Sequence, residues 1–200
     1  MLTVRQRKQY LKFLGYYKGK INDKVDDELK KCYLQLQKDY FFNKKDKDGL
    51  YGPNTDILLV DVYRVKKYTK SFDIKKDKLY CRCKGKYCTG YPVYISIDLL
   101  KNLQSIRDKF GSTTVTSMLR CSVWNKKQGG TLNSKHKDGR AVDYRNRHTL
   151  TLKGRKECID YWFKLSKPNY SYCNGYYRKG KVSGKTANKK MGISVHGDVK

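Results

Sequence analysis

The chain has 200 residues, 38% hydrophobic and 32% charged, which suits one large or two small soluble globular domains with a modest core. No apolar run reaches the roughly 18 residues of a transmembrane helix, and the basic N-terminus lacks the apolar core of a secretion signal. We therefore expect a protein made in the cytoplasm without a cleaved leader. A formal net charge of +28, spread along the whole chain, predicts attraction to a polyanionic surface and argues against a nucleic-acid reader, for which no motif is present.

Three amphipathic helices are predicted in the first third of the chain. The first spans residues 3–14, with Thr3 as its N-cap and Gly15 as its end, and the others span about 24–38 and 54–65. Turn-rich segments separate the helices. The apolar positions expected to face the core are Val4, Tyr10, Leu11, Leu14, Val25, Leu29, Cys32, Tyr33, Leu36, Ile57, Leu58, Val62 and Val65.

The loops between these helices carry a first resemblance. Leu14-Gly-Tyr-Tyr17-Lys-Gly-Lys-Ile21 and Asp48-Gly-Leu-Tyr51-Gly-Pro-Asn-Thr55 are similar to phrases of the three-helix peptidoglycan-binding domain, although Asn22-Asp23 stands where that family usually has Asp-Gly. The resemblance implies a small all-α three-helix bundle over residues 1–66 that binds peptidoglycan. Tyr17 and Tyr51 could then stack on sugar rings, and ordinary packing of these tyrosines is the alternative.

The remainder of the chain is predicted to form a linker and a second, α+β domain. The linker is the polar and charged stretch 67–76, and the second domain covers residues 77–200. Its predicted elements are a helix over Ser96–Phe110 ended by Gly111, a strand over 113–118, a helix over 153–165, a loop or hairpin over 169–190, and a last strand. We expect a small mixed or antiparallel sheet with helices on one side.

His136, Asp143 and His196 are the candidate metal ligands. His136 and Asp143 are seven residues apart, which is too far along a helix for both to reach one ion and out of phase for one strand face. They can converge if His136 lies on a turn, which Gly139 allows, and Asp143 lies on the strand that follows. With His196 from a neighbouring strand there are three protein ligands and a fourth position for water, which is typical of catalytic zinc.

The same stretch carries a second resemblance. Ser134-Lys-His136-Lys-Asp-Gly-Arg-Ala-Val-Asp143 resembles the S-x-H-x-x-G-x-A-x-D signature of the D-Ala-D-Ala metallopeptidases, the VanY- and hedgehog-like zinc family. The run from Thr116 through Arg120 to Gly130, and Val195-His196-Gly-Asp-Val199, are similar to further motifs of that family in the same order. The resemblance covers roughly residues 77–200 and implies a Zn²⁺ cofactor held by His136, Asp143 and His196.

The resemblance also implies roles for other residues. Arg120 matches an arginine near the metal, so it would bind the oxyanion or a substrate carboxylate, and Ser134 would bind the substrate backbone or hold the loop. Many members carry a glutamate three residues before the last histidine, where this chain has Ile193. The candidates for the general base are therefore Asp198, His148 and Glu157, and for Asp198 we favour a role in orienting a ligand histidine.

The seven cysteines cannot all pair, and reduced thiols are the default for a chain without a leader. Cys81, Cys83 and Cys88 have the spacing Cys-x-Cys-x4-Cys, which could serve a structural metal. No fourth ligand is apparent nearby, so the sequence favours buried or idle thiols.

Together these patterns predict a monomeric, two-domain cell-wall hydrolase resembling a bacteriophage endolysin, released at lysis. Zinc-activated water would cleave stem or cross-bridge peptides of bacterial peptidoglycan, and the charge would suit anionic wall polymers. Whether the bond is L-alanyl-D-glutamate, D-Ala-D-Ala or a D,D cross-link is open. A non-catalytic wall- or polyanion-binding protein with a degenerate zinc site is one alternative, and a nucleic-acid-binding protein with a structural zinc is the other.

Overall fold

The computed structural model describes residues 1–200. It has six α-helices and six β-strands. The helices are α1 (Val4–Phe13), α2 (Asp27–Tyr40), α3 (Pro53–Tyr68), α4 (Ile97–Phe110), α5 (Ser122–Lys127) and α6 (Leu152–Trp162). The strands are β1 (Thr113–Ser117), β2 (Ala141–Asn146), β3 (Pro168–Cys173), β4 (Tyr176–Lys179), β5 (Val182–Gly184) and β6 (Val195–Val199). The α+β class predicted from the sequence is confirmed.

The first two helices begin at residues whose side chains satisfy free backbone N–H groups. The Thr3 side chain accepts from the backbone N–H of Gln6, and the Gln6 side chain accepts in return, forming a capping box at α1. Asp26 caps α2 through the backbone N–H of Leu29. Because α2 starts only after this cap, Val25 lies outside it and is 53% exposed. The expectation that Val25 faces the core was wrong.

A single hydrophobic core runs from α1–α3 into the sheet-bearing part of the chain. In the stretch predicted as a linker, Tyr68 is the last residue of α3, and Phe72 and Ile74 are buried in this core. The division at residues 66 and 77 stays a prediction, and the chain between the two parts is packed rather than extended into solvent.

The six strands form one antiparallel sheet in the order β1-β2-β6-β3-β4-β5. Helices α4 and α6 pack on one face, where Trp162 stacks on Tyr144 and donates from Nε1 to the carbonyl oxygen of Asp198. Side chains alternate along β2 and β6, so Asp143, His196 and Asp198 point to the opposite face. The stretch 169–190, predicted as a loop or hairpin, contains the β3–β4 hairpin and β5.

Helix α3 also holds the segment that leads into α4. The Asp61 carboxylate accepts from the backbone N–H of Ile95 at 2.7 Å, and Arg64 donates to the Ile95 carbonyl oxygen at 2.7 Å. The next residue, Ser96, donates from its backbone N–H to the carbonyl oxygen of Gly139. The N-terminal helices therefore support the turn that carries His136. None of the helices is long and apolar enough to span a bilayer.

Candidate metal centre

Three different elements bring His136, Asp143 and His196 together. His136 lies on the 3-10 helix Lys135–Asp138, which ends at Gly139 with φ +66°. A Cβ at Gly139 would lie 2.1 Å from the carbonyl oxygen of Tyr94, so only glycine fits this turn. Asp143 and His196 are direct cross-strand partners on β2 and β6. The turn-then-strand geometry expected for His136 and Asp143 is present.

The three side chains converge through one carboxylate oxygen. The distance from Asp143 Oδ1 to His196 Nδ1 is 2.8 Å, and to His136 Nε2 it is 3.3 Å. All three side chains are buried, and their possible ligand atoms lie within 4.8 Å of one another. A cation between them would meet two imidazole nitrogens and one carboxylate oxygen.

Neighbouring groups decide which atom of each side chain is left for a metal. His136 Nδ1 lies 2.6 Å from the carbonyl oxygen of Met118, so in the neutral ring it carries the proton and Nε2 is free. His196 Nε2 faces Asp198 Oδ2 at 3.4 Å, which leaves Nδ1 free. Arg120 Nη2 donates to Asp143 Oδ2 at 2.7 Å, so the other carboxylate oxygen, Oδ1, remains available to a metal. The free atoms are those that converge.

The titration of the three groups fits a cation site. Burial lowers the pKa of His136. Burial opposes ionisation of Asp143, but the charges and hydrogen bonds of His136 and His196 outweigh it and lower the pKa of that carboxyl. Burial also opposes the charged form of His196, yet its hydrogen bonds to Asp143 and Asp198 raise its pKa to about 9. Asp143 is thus ionised, and without a metal His196 carries a proton that a cation would displace.

The donor set fits zinc. Zn–N and Zn–O bonds of about 2.0–2.2 Å place tetrahedral ligands about 3.3 Å apart. The His136–Asp143 distance of 3.3 Å matches this edge, and the His196–Asp143 distance of 2.8 Å needs only a small opening. Ring N–H groups held by a carbonyl and a carboxylate are the usual support of zinc-binding histidines.

The site lies at the floor of an open cleft of about 680 Å³. Three cationic side chains line it, namely Arg120, Lys135 and Lys179, and Asp198 is its one acidic lining residue. The aromatic lining residues are Tyr170, Tyr172 and Tyr177, with Tyr172 stacked on His196 at 4.6 Å between ring centroids. Ser134 also lines the cleft, and its side chain makes no capping hydrogen bond. The cleft thus joins positive charge to aromatic surface.

A family model described as Peptidase M15 matches residues 70–154. This segment is less than half of the chain, and it contains Arg120, His136 and Asp143. The match therefore supports the resemblance to metallopeptidases in the part of the chain that supplies these residues. Peptidases of this family are zinc enzymes. Helices α1–α3 and His196 lie outside the match. No curated protein matches the chain.

Two of the residues considered as general base lie away from the cleft. His148 and Glu157 are exposed and line a separate depression beside α6, with His148 against Phe110. Asp198 lies near the site, but both of its carboxylate oxygens already interact with other groups of the protein. Oδ1 accepts from Asn169 Nδ2 at 2.9 Å and from the backbone N–H of Tyr170 at 2.7 Å, while Oδ2 faces His196. This geometry suits an orienting role.

The tyrosines considered as sugar platforms are occupied within the protein. Tyr17 is 3% exposed, and its hydroxyl lies within hydrogen-bond distance of two acceptors, Asp26 Oδ2 at 2.9 Å and the carbonyl oxygen of Lys20 at 3.0 Å. The expectation that its ring stacks on a sugar is therefore corrected, because the ring is covered. The ring of Tyr51 contacts the Arg7 guanidinium, 3.7 Å from the ring centroid, and the ring of Tyr33. The Tyr51 hydroxyl donates a hydrogen bond to Asp56.

Sequence reasoning missed the aromatic wall of the cleft. Tyr170 and Tyr172 lie on β3 beside β6, and Tyr177 pairs with Tyr172 across the hairpin. The available signal was the spacing of Tyr170 and Tyr172, because residues two apart on a strand share a face. No sequence signal identifies the carbonyl of Met118, which orients His136, since a backbone group carries no residue-type information.

Proposed function

We propose that this chain is a zinc peptidase that hydrolyses peptide bonds in the stem or cross-bridge peptides of peptidoglycan. The observation that carries the proposal is the convergence of His136 Nε2, Asp143 Oδ1 and His196 Nδ1 at the floor of an open cleft. Two of these ligands lie in the segment that matches Peptidase M15. Three ligands leave one position for water, as hydrolysis requires.

The residues around the site have separable tasks. Bound zinc would polarise the scissile carbonyl and lower the pKa of a water molecule toward ~7. Arg120 holds Asp143 through Nη2 and also lines the cleft, so it can orient the ligand and place positive charge near the developing oxyanion. Burial raises the pKa of Tyr172 to about 12, so its hydroxyl stays protonated and can donate a hydrogen bond to the substrate.

We assign Asp198 a positioning role. Its Oδ2 lies beside Nε2 of His196, whereas the free atom of that ring is Nδ1, so the carboxylate approaches the side of the ring turned away from the proposed metal. Ile193 stands where the resembling family usually carries a glutamate. No other acidic residue lines the cleft. The carboxylate base that the family usually carries at this position therefore has no counterpart in this chain.

The charge of the cleft supports a peptide substrate that carries carboxylates. Arg120, Lys135 and Lys179 outnumber Asp198 among the charged lining residues. Stem peptides of peptidoglycan carry free carboxylates, so the lining charges favour them over cationic peptides. L-alanyl-D-glutamate, D-Ala-D-Ala and D,D cross-link bonds all meet this condition.

We further propose that α1–α3 act as a wall-binding unit and that the protein works in the manner of a phage endolysin. The sequence phrases in the loops of this unit and the net charge of +28 support the proposal. Because Tyr17 is buried, the wall contact must use other residues, and the general attraction comes from the distributed lysines and arginines.

The test is digestion of purified peptidoglycan, with released fragments identified by mass spectrometry. We expect new peptide termini that disappear with a zinc chelator, return with zinc, and are absent for His136→Ala. His148→Ala is the matched control, because His148 lies outside the cleft, and it should cleave normally. New sugar reducing ends without new peptide termini would contradict the proposal.

A non-catalytic wall-binding protein is the second candidate, favoured by Ile193 in place of a glutamate and by the engaged oxygens of Asp198. It predicts that the protein binds both the wall and zinc, yet releases no fragment at any zinc concentration. The digestion experiment separates the two candidates directly.

A further inference from the structure

Four cysteines form a second cluster away from the cleft. Cys81, Cys83 and Cys88 lie in the segment that precedes α4, and Cys121 is the N-cap residue of α5. Their sulfur atoms all lie within 4.8 Å of one another, and all four side chains are buried or half-buried. Cys121 is the fourth sulfur of the cluster, which the sequence did not reveal because it lies more than 30 residues further along the chain.

The backbone around the cluster is shaped to point the sulfur atoms inward. After Cys83 the chain turns through Lys84 and Gly85, both with positive φ, and it turns again at Gly90. The backbone N–H of Cys121 lies 3.4 Å from Cys81 Sγ, and the N–H of Gly90 lies 3.4 Å from Cys88 Sγ. The N–H of Trp124 lies 3.4 Å from Cys121 Sγ. Backbone donors aimed at sulfur stabilise thiolates.

We propose that Cys81, Cys83, Cys88 and Cys121 bind a structural zinc ion as four thiolates. Zn–S bonds of about 2.3 Å place the sulfurs of a tetrahedral site about 3.8 Å apart. The observed Cys83–Cys88 sulfur distance is 3.4 Å, and the largest separation in the cluster is within 4.8 Å, so shifts of under about an ångström complete the site. Four protein ligands close the coordination shell, which is the arrangement of structural zinc.

A disulfide explains the cluster less well. One bond between Cys83 and Cys88 would require their sulfurs at about 2.05 Å and would leave Cys81 and Cys121 as reduced thiols beside it. A divalent cation accounts for the whole cluster, because it can bind all four sulfurs at once as thiolates.

The second site would act on the first through the backbone. Cys121 directly follows Arg120, whose side chain holds Asp143 and whose backbone N–H donates to the carbonyl oxygen of His136. Fixing Cys121 to the Cys81–Cys88 turn therefore fixes the residue that orients two of the three candidate ligands of the cleft. The proposed role is structural, because four thiolate ligands leave no coordination position for a substrate.

Zinc content measured by elemental analysis tests the proposal. We expect the purified protein to hold about two zinc ions per chain, in agreement with the two clusters. The His136→Ala/His196→Ala variant should keep about one, and adding Cys83→Ser/Cys88→Ser should remove it. Cys32→Ser is the matched control, because this buried cysteine lies on α2 outside the cluster. Zinc content unchanged by Cys83→Ser/Cys88→Ser would overturn the proposal.

Three further measurements do not depend on whether the serine variants fold. The His136→Ala/His196→Ala variant loaded with Co²⁺ should show the near-ultraviolet charge-transfer bands of cobalt bound to several thiolates, and bands of nitrogen and oxygen ligation alone would contradict the site. In the wild-type protein, chelation should expose four additional thiols to alkylation. A native Cys83–Cys88 disulfide detected by mass spectrometry would also overturn it. These readouts are independent of peptidase activity.

Discussion

Asp143 shows how one buried carboxylate is divided between two tasks. Its Oδ2 receives Arg120 at 2.7 Å, and its Oδ1 faces both histidines. Removing a residue that supports a metal ligand typically costs 10–100-fold in affinity or activity. The residues around the site can therefore be tested separately from the ligands themselves.

Asp198→Asn separates an orienting role from a base role. Three donors converge on this carboxylate, and an amide has one acceptor oxygen, so at least one donor would then face an NH₂ group. We expect zinc affinity to fall roughly 10–100-fold, with peptidase activity restored at saturating zinc. Chelator competition measures the affinity.

Unchanged zinc affinity with a large loss of kcat at saturating zinc would instead identify Asp198 as the base. The control is Glu157→Gln, a change of the same kind at an exposed carboxylate outside the cleft, which should alter neither quantity.

Asp61 gives a stability prediction at the residue scale. It is fully buried on α3, and burial raises its pKa well above 3.8 despite the N–H of Ile95. A raised folded-state pKa contributes stability that is present below the unfolded pKa and lost as pH rises towards the folded pKa. The contribution of Asp61 to the unfolding free energy should therefore fall above pH ~4, by about 1.4 kcal/mol per unit of pKa shift.

Denaturant unfolding between acid and neutral pH measures this effect. In Asp61→Asn this contribution should disappear because the side chain no longer ionises, so the unfolding free energy of the variant relative to the wild type should rise with pH. Asp98 provides the opposite case: its hydrogen bond from Ser166 lowers its pKa, so Asp98→Asn should remove stability that the wild type gains as pH rises. The same pH slope in Asp61→Asn and wild type would refute the assignment.

At the scale of elements, the site depends on the register of β2 against β6 and on the turn before β2. The pairing of Asp143 with His196 places both on the open face, and a slip by one residue would turn one of them into the helix-covered face. The turn is held from outside, since Gly139 packs against the segment Tyr94–Ile95 that α3 clamps.

Gly139→Ala should disrupt the turn rather than only strain it. The new Cβ would lie 2.1 Å from the carbonyl oxygen of Tyr94, at a φ of +66°. We expect a destabilisation of more than ~2 kcal/mol and loss of zinc binding through displacement of His136. Gly180→Ala isolates the backbone contribution, because Gly180 has φ +58° and open space around it.

The Gly180→Ala control should lose only about 1 kcal/mol of unfolding free energy and should keep its zinc. Thermal or denaturant unfolding together with zinc content provides both readouts. Equal losses in the two variants would mean that the contact with Tyr94 contributes nothing.

At the scale of the whole molecule, the charge of +28 governs how the protein meets its target. Exposed charges are screened over about 10 Å at 0.1 M salt and about 3 Å at 1 M. Binding to isolated cell walls should therefore weaken progressively with added salt, and it should also weaken for walls stripped of anionic polymers. Sedimentation of the protein with walls measures both, and salt-independent binding would show that apolar or sugar-specific contacts dominate.

Several features of the fold could be predicted because their causes are local. Thr3 and Ser96 begin helices and Gly111 ends one, since a helix needs caps for its free backbone groups. The spacing of His136, Gly139 and Asp143 predicts a turn followed by a strand. Such signals depend only on residues that are close in the sequence. They also pointed to the candidate metal ligands.

Other features were decided only by tertiary packing, because they join residues that are distant in the sequence. Tyr17 faces the core rather than a sugar, and His148 and Glu157 lie away from the cleft. Cys121 meets the other three cysteines, and Tyr172 lies beside His196, only after the strands and helices have packed. The sequence alone determined which residue types and turns build the candidate centre. The tertiary structure decided which atoms face it, because burial and long-range pairing arise from the whole chain.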